Sequence, residues 1–227
     1  MNIKFLGTGG AFDFAQGNAA AIVETEKGKV LIDCGFSTLP KLIELNLVKD
    51  IDYILITHLH GDHIGGLPTL MQYLNFVLHK TIPIIVPSTE FAGKIDQLLK
   101  ITFADNKVVY EPIAGFSNIG YIDTTGQHGV GIISHAYYFT EHDHLIYYSG
   151  DIGNAQTAKN FLRDRTEQHI QVFHETTHRT DMENHTSYQE IQTKLVNYET
   201  YVYHTAKEKI PKDCALKLVE DYREFLC

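Results

Sequence analysis

Tryptophan is missing from this 227-residue sequence, and cysteine is scarce, with only Cys34, Cys214 and Cys227 present. Three thiols, odd in number and widely spaced, do not suit a disulfide framework, and they point to a reducing compartment. Positive charge is also in short supply. Nineteen Lys and Arg face 28 Asp and Glu, for a net charge of −9. Such a surface repels polyanions, which argues against an extended nucleic-acid partner. A small anion entering a metal-lined pocket is not excluded, because a bound cation dominates its local field. No apolar run approaches the ~20 residues of a membrane span. The opening Met1-Asn2-Ile3-Lys4-Phe5-Leu6 runs straight into a strand-like segment with no secretory apolar region before it, so no membrane and a cytoplasmic location are expected.

The hydrophobic share of 44% and the charged share of 21% are those of an ordinary globular chain able to bury a core, so one domain over residues 1–227 is expected. No repeat, low-complexity tract or linker interrupts it. Strands are predicted at Ile3–Leu6, Ala20–Glu24 and Lys29–Asp33, with Glu26-Lys27-Gly28 as a hairpin turn. A helix is predicted over Leu39–Leu47, then a buried strand Asp52–Ile56 and a helix Gly66–Leu78 whose Leu67, Leu70, Met71, Leu74 and Val77 keep helical spacing. A strand Ile82–Val86 precedes a helix that Ser88 caps and that runs to Leu99. Strands follow near Val108–Pro112, Ile119–Thr124, Gly129–Thr140 and His144–Ser149. The remainder reads as helix Ala155–Leu162, strand Ile170–His174, helix Ser187–Val196, strand Tyr201–Tyr203 and a last helix Lys212–Phe225. The pattern predicts an α/β fold of two mixed sheets flanked by helices.

What is abundant is histidine, 13 in all. Four ligand-type side chains crowd into Thr57-His58-Leu59-His60-Gly61-Asp62-His63-Ile64-Gly65-Gly66, directly after an apolar strand. A helix would send His58 and His60 to different faces, whereas a loop at a strand end can turn His58, His60, Asp62 and His63 inward together. Imidazole with carboxylate suits Zn²⁺, and Fe or Mn as well. The glycines let the backbone fold tightly around the charged cluster.

The pattern His-x-His-x-Asp-His resembles the signature of the metallo-β-lactamase superfamily. The likeness extends over nearly the whole chain, through Leu6-Gly7-Thr8-Gly9-Gly10, Leu31-Ile32-Asp33-Cys34-Gly35 and Tyr148-Ser149-Gly150-Asp151. It implies a four-layer αββα sandwich with two divalent metal ions, zinc or manganese, at one edge of the sheets. It further implies Asp151 as a bridging carboxylate and His204, at the end of Tyr201-Val202-Tyr203, as the last histidine ligand. The remaining ligand stays open between His128, which enters a strand as relatives' ligands do and is favoured, and His135, which lies within that strand. By resemblance His58, His60, His128 and Asp151 hold one ion and Asp62, His63, Asp151 and His204 the other. Metals so paired lie ~3.5–4 Å apart, stabilise attacking and leaving oxygens, and lower the pKa of water toward ~7. His79, His142, His144, His169 and His178 read as surface residues.

Two further motifs narrow the branch. Phe173-His174-Glu175-Thr176-Thr177 and Asn184-His185-Thr186-Ser187 resemble motifs of the tRNA 3′-processing endonucleases known as RNase Z. The resemblance makes Asp62, His185 and Glu175 the candidate catalytic groups, with His185 reaching a scissile phosphate and Glu175 supporting it. His174 has no direct role assigned. Asp151 follows His128 by only 23 positions, and two strands with the turn Glu141-His142-Asp143 use them all. That leaves no room for the tRNA-gripping arm that RNase Z proteins insert there. A compact enzyme of this kind resembles the anti-Pycsar group of cyclic-nucleotide phosphodiesterases, found in phages and bacteria. The expected reaction is hydrolysis of a small anionic phosphodiester, a 3′,5′-cyclic nucleotide, by a homodimer. The alternatives are an RNase Z-type endonuclease lacking its own arm, a lactone or cyclic-dinucleotide hydrolase, and a non-catalytic module that kept the fold. Phe12, Phe14 and Tyr73 are aromatics of a kind that stacks on a base, and none is assigned.

Overall fold

A computed structural model describes residues 1–103, 108–211 and 214–227 of the chain. Twelve strands among them form two six-stranded sheets. The first sheet holds β1 (Asn2–Gly7), β2 (Ala20–Thr25), β3 (Gly28–Ile32), β4 (Tyr53–Leu55), β5 (Ile84–Val86) and β6 (Tyr110–Pro112), side by side in chain order. The second holds β7 (Ile119–Asp123), β8 (His135–Glu141), β9 (His144–Tyr148), β10 (His169–Glu175), β11 (Glu199–Tyr203) and β12 (Lys217–Leu218), again in chain order. In each sheet the first three strands pair antiparallel and the later ones parallel. The two halves thus repeat one topology, although no repeat is visible in the sequence.

Alternation along the strands divides the apolar side chains among three cores. In β3, Leu31 faces outward to helices while Val30 and Ile32 face the other sheet; in β9, Leu145 and Tyr147 face helices while Ile146 and Tyr148 face the first sheet. The outer side of the first sheet is covered by α1 (Thr38–Glu44), α3 (Leu67–Phe76) and α4 (Thr89–Phe103), through Leu42, Leu70, Met71, Leu74 and Phe91. The outer side of the second is covered by α5 (Gln156–Arg163) and α6 (Tyr188–Lys194), through Ala158, Leu162 and Ile191. The short α2 (Gly61–Ile64) lies at a strand end. Between the sheets the filling is aromatic, with the Phe5 ring 5.4 Å from Tyr203, 5.6 Å from Phe173 and 6.0 Å from Tyr148. Helices outside and two sheets inside make the four-layer αββα sandwich expected from the sequence.

Several boundaries differ from expectation, among them the end of the Ser88-capped helix, which runs to Phe103 instead of Leu99. The strand predicted over Gly129–Thr140 begins only at His135, because 129–134 fold into a turn held by Ile132 N–H donating to the Gly129 carbonyl. The helix predicted to Leu47 stops at Glu44, where Asn46 takes a left-handed φ of 56°. The last helix, predicted over Lys212–Phe225, is replaced in the described residues by β12 and two 3₁₀ turns, Val219–Asp221 and Arg223–Phe225; residues 212–213 lie outside the described part. Its apolar residues are claimed instead by a parallel pairing of Tyr201 and Val202 with Lys217 and Leu218 and by packing of Val219 and Phe225 between the sheets. No helix among the described residues is long and apolar enough to cross a membrane.

Candidate metal centre

Parallel strands end together, and an open α/β sheet places ligands in the loops beyond their carboxyl ends. β3 delivers Asp33, β4 leads to His58, His60, Asp62 and His63, β9 leads to Asp151, β10 ends on Glu175 and β11 leads to His204. His128 comes from the loop between β7 and β8. The structure therefore gathers every residue of the predicted ligand set at one edge of the sandwich.

The atoms fall into two groups around Asp151. His58 Nε2 and His128 Nε2 lie 3.0 and 2.9 Å from His60 Nδ1. On the other side, His63 Nε2 lies 3.3 Å from Asp62 Oδ2, and His204 Nε2 lies 3.5 Å from the same oxygen. Asp151 Oδ2 sits between the groups, 3.4 Å from His63, 3.3 Å from His204, 3.7 Å from His128 and 4.0 Å from His58. His135 is not among them. It is buried against Phe91 and Tyr121, with its backbone N–H on the Thr57 carbonyl. Of the two candidates open in the sequence, the geometry brings only His128 to the cluster.

The tautomers are set from behind. His128 Nδ1 donates to the Asn184 carbonyl at 2.7 Å, which leaves its Nε2 lone pair facing the cluster. Asp33 is wholly buried, and three donors surround it: Thr57 N at 2.7 Å, Thr57 Oγ1 at 2.9 Å and His63 Nδ1 at 2.8 Å. The Thr57 hydroxyl, having given its proton to Asp33, accepts from His58 Nδ1 at 3.1 Å. One carboxylate thereby orients two imidazoles with Nε2 turned inward. Sequence reasoning missed this role. Asp33 stood at the end of a predicted strand, but nothing in the sequence showed β3 pairing with β4 to bring it against Thr57.

This donor set suits a divalent cation. Two Nε2 lone pairs face one Nδ1 of His60, and a single proton there can satisfy only one of them. A cation satisfies all three, and ligands of a tetrahedral zinc stand about 3.3 Å apart by simple geometry, close to the spacings seen. In the second group the buried His63 Nε2, His204 Nε2 and Asp151 Oδ1 have no hydrogen-bond partner. Burial opposes charge on His63, yet Asp151 and then Asp33 outweigh it and hold this imidazole well above its ordinary pKa. The pocket calls for positive charge.

Beside the cluster lies the pair His185 and Glu175. Glu175 is wholly buried, and its Oε1 accepts from Thr186 N at 2.8 Å and Ile152 N at 3.3 Å. Its Oε2 meets His185 Nδ1 at 3.3 Å, and the same nitrogen is 4.0 Å from Asp151. Burial disfavours the imidazolium, but the hydrogen bond and charge of Glu175, with Asp151 behind, raise His185 to about 9. His174 points away. It is wholly buried, and its Nδ1 donates to the Glu175 carbonyl.

Two of the residues at this edge carry backbone strain. Asp33 and His204 adopt φ of 63° and 69°, in the left-handed region that non-glycine residues rarely occupy. The His204 N–H donates to the Thr8 carbonyl at 2.7 Å, and a Cβ on Gly10 would come within 3.2 Å of the His204 ring. The glycine-rich opening is thus the seat of the last histidine. Between His128 and Asp151 lie only the 129–134 turn, β8, a two-residue turn, β9 and the Ser149-Gly150 turn. Phe12 and Phe14 are exposed, whereas Tyr73 packs partly against the core beneath α3.

A sequence model of the family described as anti-Pycsar protein Apyc1 matches residues 1–217. Proteins of that name from Saccharibacillus brassicae and Bacillus phage 010DV004 are 44% identical over 68 residues and 45% over 92, covering 30% and 39% of this chain and 28% and 36% of theirs. A ribonuclease Z from Haloarcula marismortui is 35% identical over 101 residues, 44% of this chain and 32% of that protein. The matched segments thus span about a third of these relatives' length. Among solved structures, the short form of human tRNase Z superposes with a TM-score of 0.68 at 21% identity, over 92% of this chain and 95% of that one. YhfI from Bacillus subtilis, a metallo-β-lactamase fold protein, does so with 0.68 at 22%, over 89% and 85%.

Proposed function

The chain belongs to the anti-Pycsar protein Apyc1 family, and from that premise we propose that it is a metal-dependent phosphodiesterase opening a 3′,5′-cyclic nucleotide to its mononucleotide. The observation that carries the reading is His185, held by Glu175 at the open side of a two-group donor cluster. His58, His60 and His128 would hold one ion and Asp62, His63 and His204 the other, with Asp151 between. When bound, two divalent ions, zinc or manganese, supply charge to offset a phosphate's and a water of lowered pKa as nucleophile. His185 supplies the proton. Its Glu175 partner favours the imidazolium, the form able to contact an anionic phosphate and protonate the departing sugar oxygen. Glu175 orients it through Oε2, while the two backbone donors on Oε1 keep the carboxylate from turning. Asp62, the most exposed carboxylate of the cluster, has its Oδ2 3.3 and 3.5 Å from His63 and His204 Nε2, and beside the ion of that group it would orient the attacking water.

The short β8–β9 hairpin supports a small substrate over tRNA, because nothing in it reaches out to grip a folded RNA. The net charge of −9 supports the same choice. A homodimer acting in the cytoplasm completes the reading. The test is to incubate metal-loaded protein with cAMP, cGMP, cCMP, cUMP, bis-p-nitrophenyl phosphate and pre-tRNA. Hydrolysis of cyclic mononucleotides is expected; cleavage of pre-tRNA alone would refute the assignment. His185→Ala is expected to lose turnover and keep its metal.

A further inference from the structure

A groove of about 200 Å³ opens beside the cluster, lined by Leu59, His60, Lys94, Gly131, Ile132 and Ile133. Three parts of the chain build it: the loop after β4, the second turn of α4, and the turn that replaces the predicted start of β8. His60 belongs to both the groove's lining and the donor cluster, so the two share a wall. Leu59 and Ile133 are partly buried and rest on the core beneath the first sheet, which makes that wall firm. Lys94 is the cation among the lining residues. It is exposed and has no ion-pair partner among the described residues.

Resting on the phosphodiesterase reading, we propose that this groove seats the base of the cyclic nucleotide and that Lys94 donates a hydrogen bond to a carbonyl of that base. A phosphate held at the cluster leaves the nucleoside to find room next to it, and this groove begins at His60. It is smaller than the ~300–1,000 Å³ of pockets that enclose a whole drug-sized ligand, which suits one planar ring system. Leu59, Ile132 and Ile133 offer apolar surface to the ring faces. A lysine ammonium has three donors and no acceptor, so it complements an edge that carries acceptors. Guanine presents O6 and N7 side by side, whereas adenine places an amino donor beside its N7. Adenine is the one common base without a carbonyl, so Lys94 makes the enzyme discriminate against it.

The test compares kcat/KM of the metal-loaded wild type and Lys94→Met on cAMP, cGMP, cCMP and cUMP. Methionine keeps most of the alkyl stem, and the side chain is exposed, so the fold is expected to survive the change. For cGMP, cCMP and cUMP the variant is expected to lose about 5- to 30-fold in kcat/KM, carried by KM, while cAMP stays within about twofold. A second variant, Ile132→Glu, places charge in the apolar wall and is expected to weaken all four substrates while hydrolysis of bis-p-nitrophenyl phosphate continues. An equal loss on all four nucleotides in Lys94→Met would mean that Lys94 acts only on the phosphate charge, and overturns the proposal. No change in either variant overturns it as well and leaves the phosphodiesterase reading standing. A metal-loaded wild type that cleaves no cyclic nucleotide refutes that reading, and the groove assignment falls with it.

Discussion

Replacing Asp33 by Asn separates what holds the fold from what prepares the metal site. Three donors converge on this buried carboxylate, Thr57 N and Thr57 Oγ1 on one oxygen and Thr57 Oγ1 and His63 Nδ1 on the other. An amide has one acceptor oxygen. Turned toward Thr57 N it satisfies that donor, and its NH₂ then faces His63 Nδ1 at the position now 2.8 Å away. Two donors cannot share that line, so His63 must move its proton to Nε2, the atom that faces Asp62 and Asp151. Asparagine tolerates the left-handed φ of 63°, so the backbone adds no penalty. Charge-assisted bonds become neutral ones, a cost of about 1–2 kcal/mol to the metal-free fold. Metal affinity suffers more, by about 10- to 100-fold, the usual loss when a histidine ligand's partner is removed. Urea melts in chelator measure the first quantity and chelator-competition titrations the second. Wild-type metal affinity in a destabilised Asp33→Asn would refute the reasoning and leave Asp33 a purely structural residue. Alanine is the poorer probe, since it strands all three donors at about 1–3 kcal/mol each and adds left-handed strain.

Three other outcomes are expected from the same geometry. Glu175→Gln keeps an acceptor for Thr186 N and Ile152 N but removes the charge that holds His185 up, so the alkaline limb of kcat is expected to move to lower pH than in the wild type. Because the folded pKa of His185 is raised, its contribution to stability is complete below the ordinary value of 6.5 and fades as pH rises through about 9; melts of metal-free wild type and variant should therefore differ most near pH 6 and converge above 9. Gly150→Ala forces an L-residue to φ 59° and sets its Cβ 2.9 Å from Thr57 Cβ and 3.0 Å from the His135 carbonyl, which should cost about 2–4 kcal/mol in urea melts and displace the neighbouring Asp151. Chelation should lower the melting temperature, since loss of a ligand held at about 100 times its Kd removes about 2.7 kcal/mol, and zinc or manganese should restore it; a melt indifferent to chelator counts against metal in the cluster.

The candidate site was legible in the sequence to the extent that its residues sit next to strands. His58, His60, Asp62 and His63 follow one strand, Asp151 another and His204 a third, so apolar runs ending in ligand-type side chains were enough to nominate them. Spacing alone does not separate His128 from His135, because both lie near the start of β8 and the difference depends on a turn. His128 reaches the cluster because 129–134 curl back instead of extending, which places its Nδ1 on the Asn184 carbonyl. That contact spans 56 positions and joins a cluster histidine to the loop carrying His185. Asp33 was hidden for the same reason, since its importance arises from a parallel pairing of β3 with β4 that local pattern cannot announce. The C-terminal segment failed differently. Its apolar residues satisfy a helical spacing, and what decides against a helix is long-range: Leu218 completes the edge of the second sheet beside Val202, and Phe225 packs 5.1 Å from Phe173 between the sheets. Local propensity is a weak constraint where a strand edge and an aromatic core both stand open to the same few residues. The doubled topology of the sandwich shows the same limit, for two halves with no visible sequence repeat reach one strand order because each must bury one sheet face against the other and one against helices.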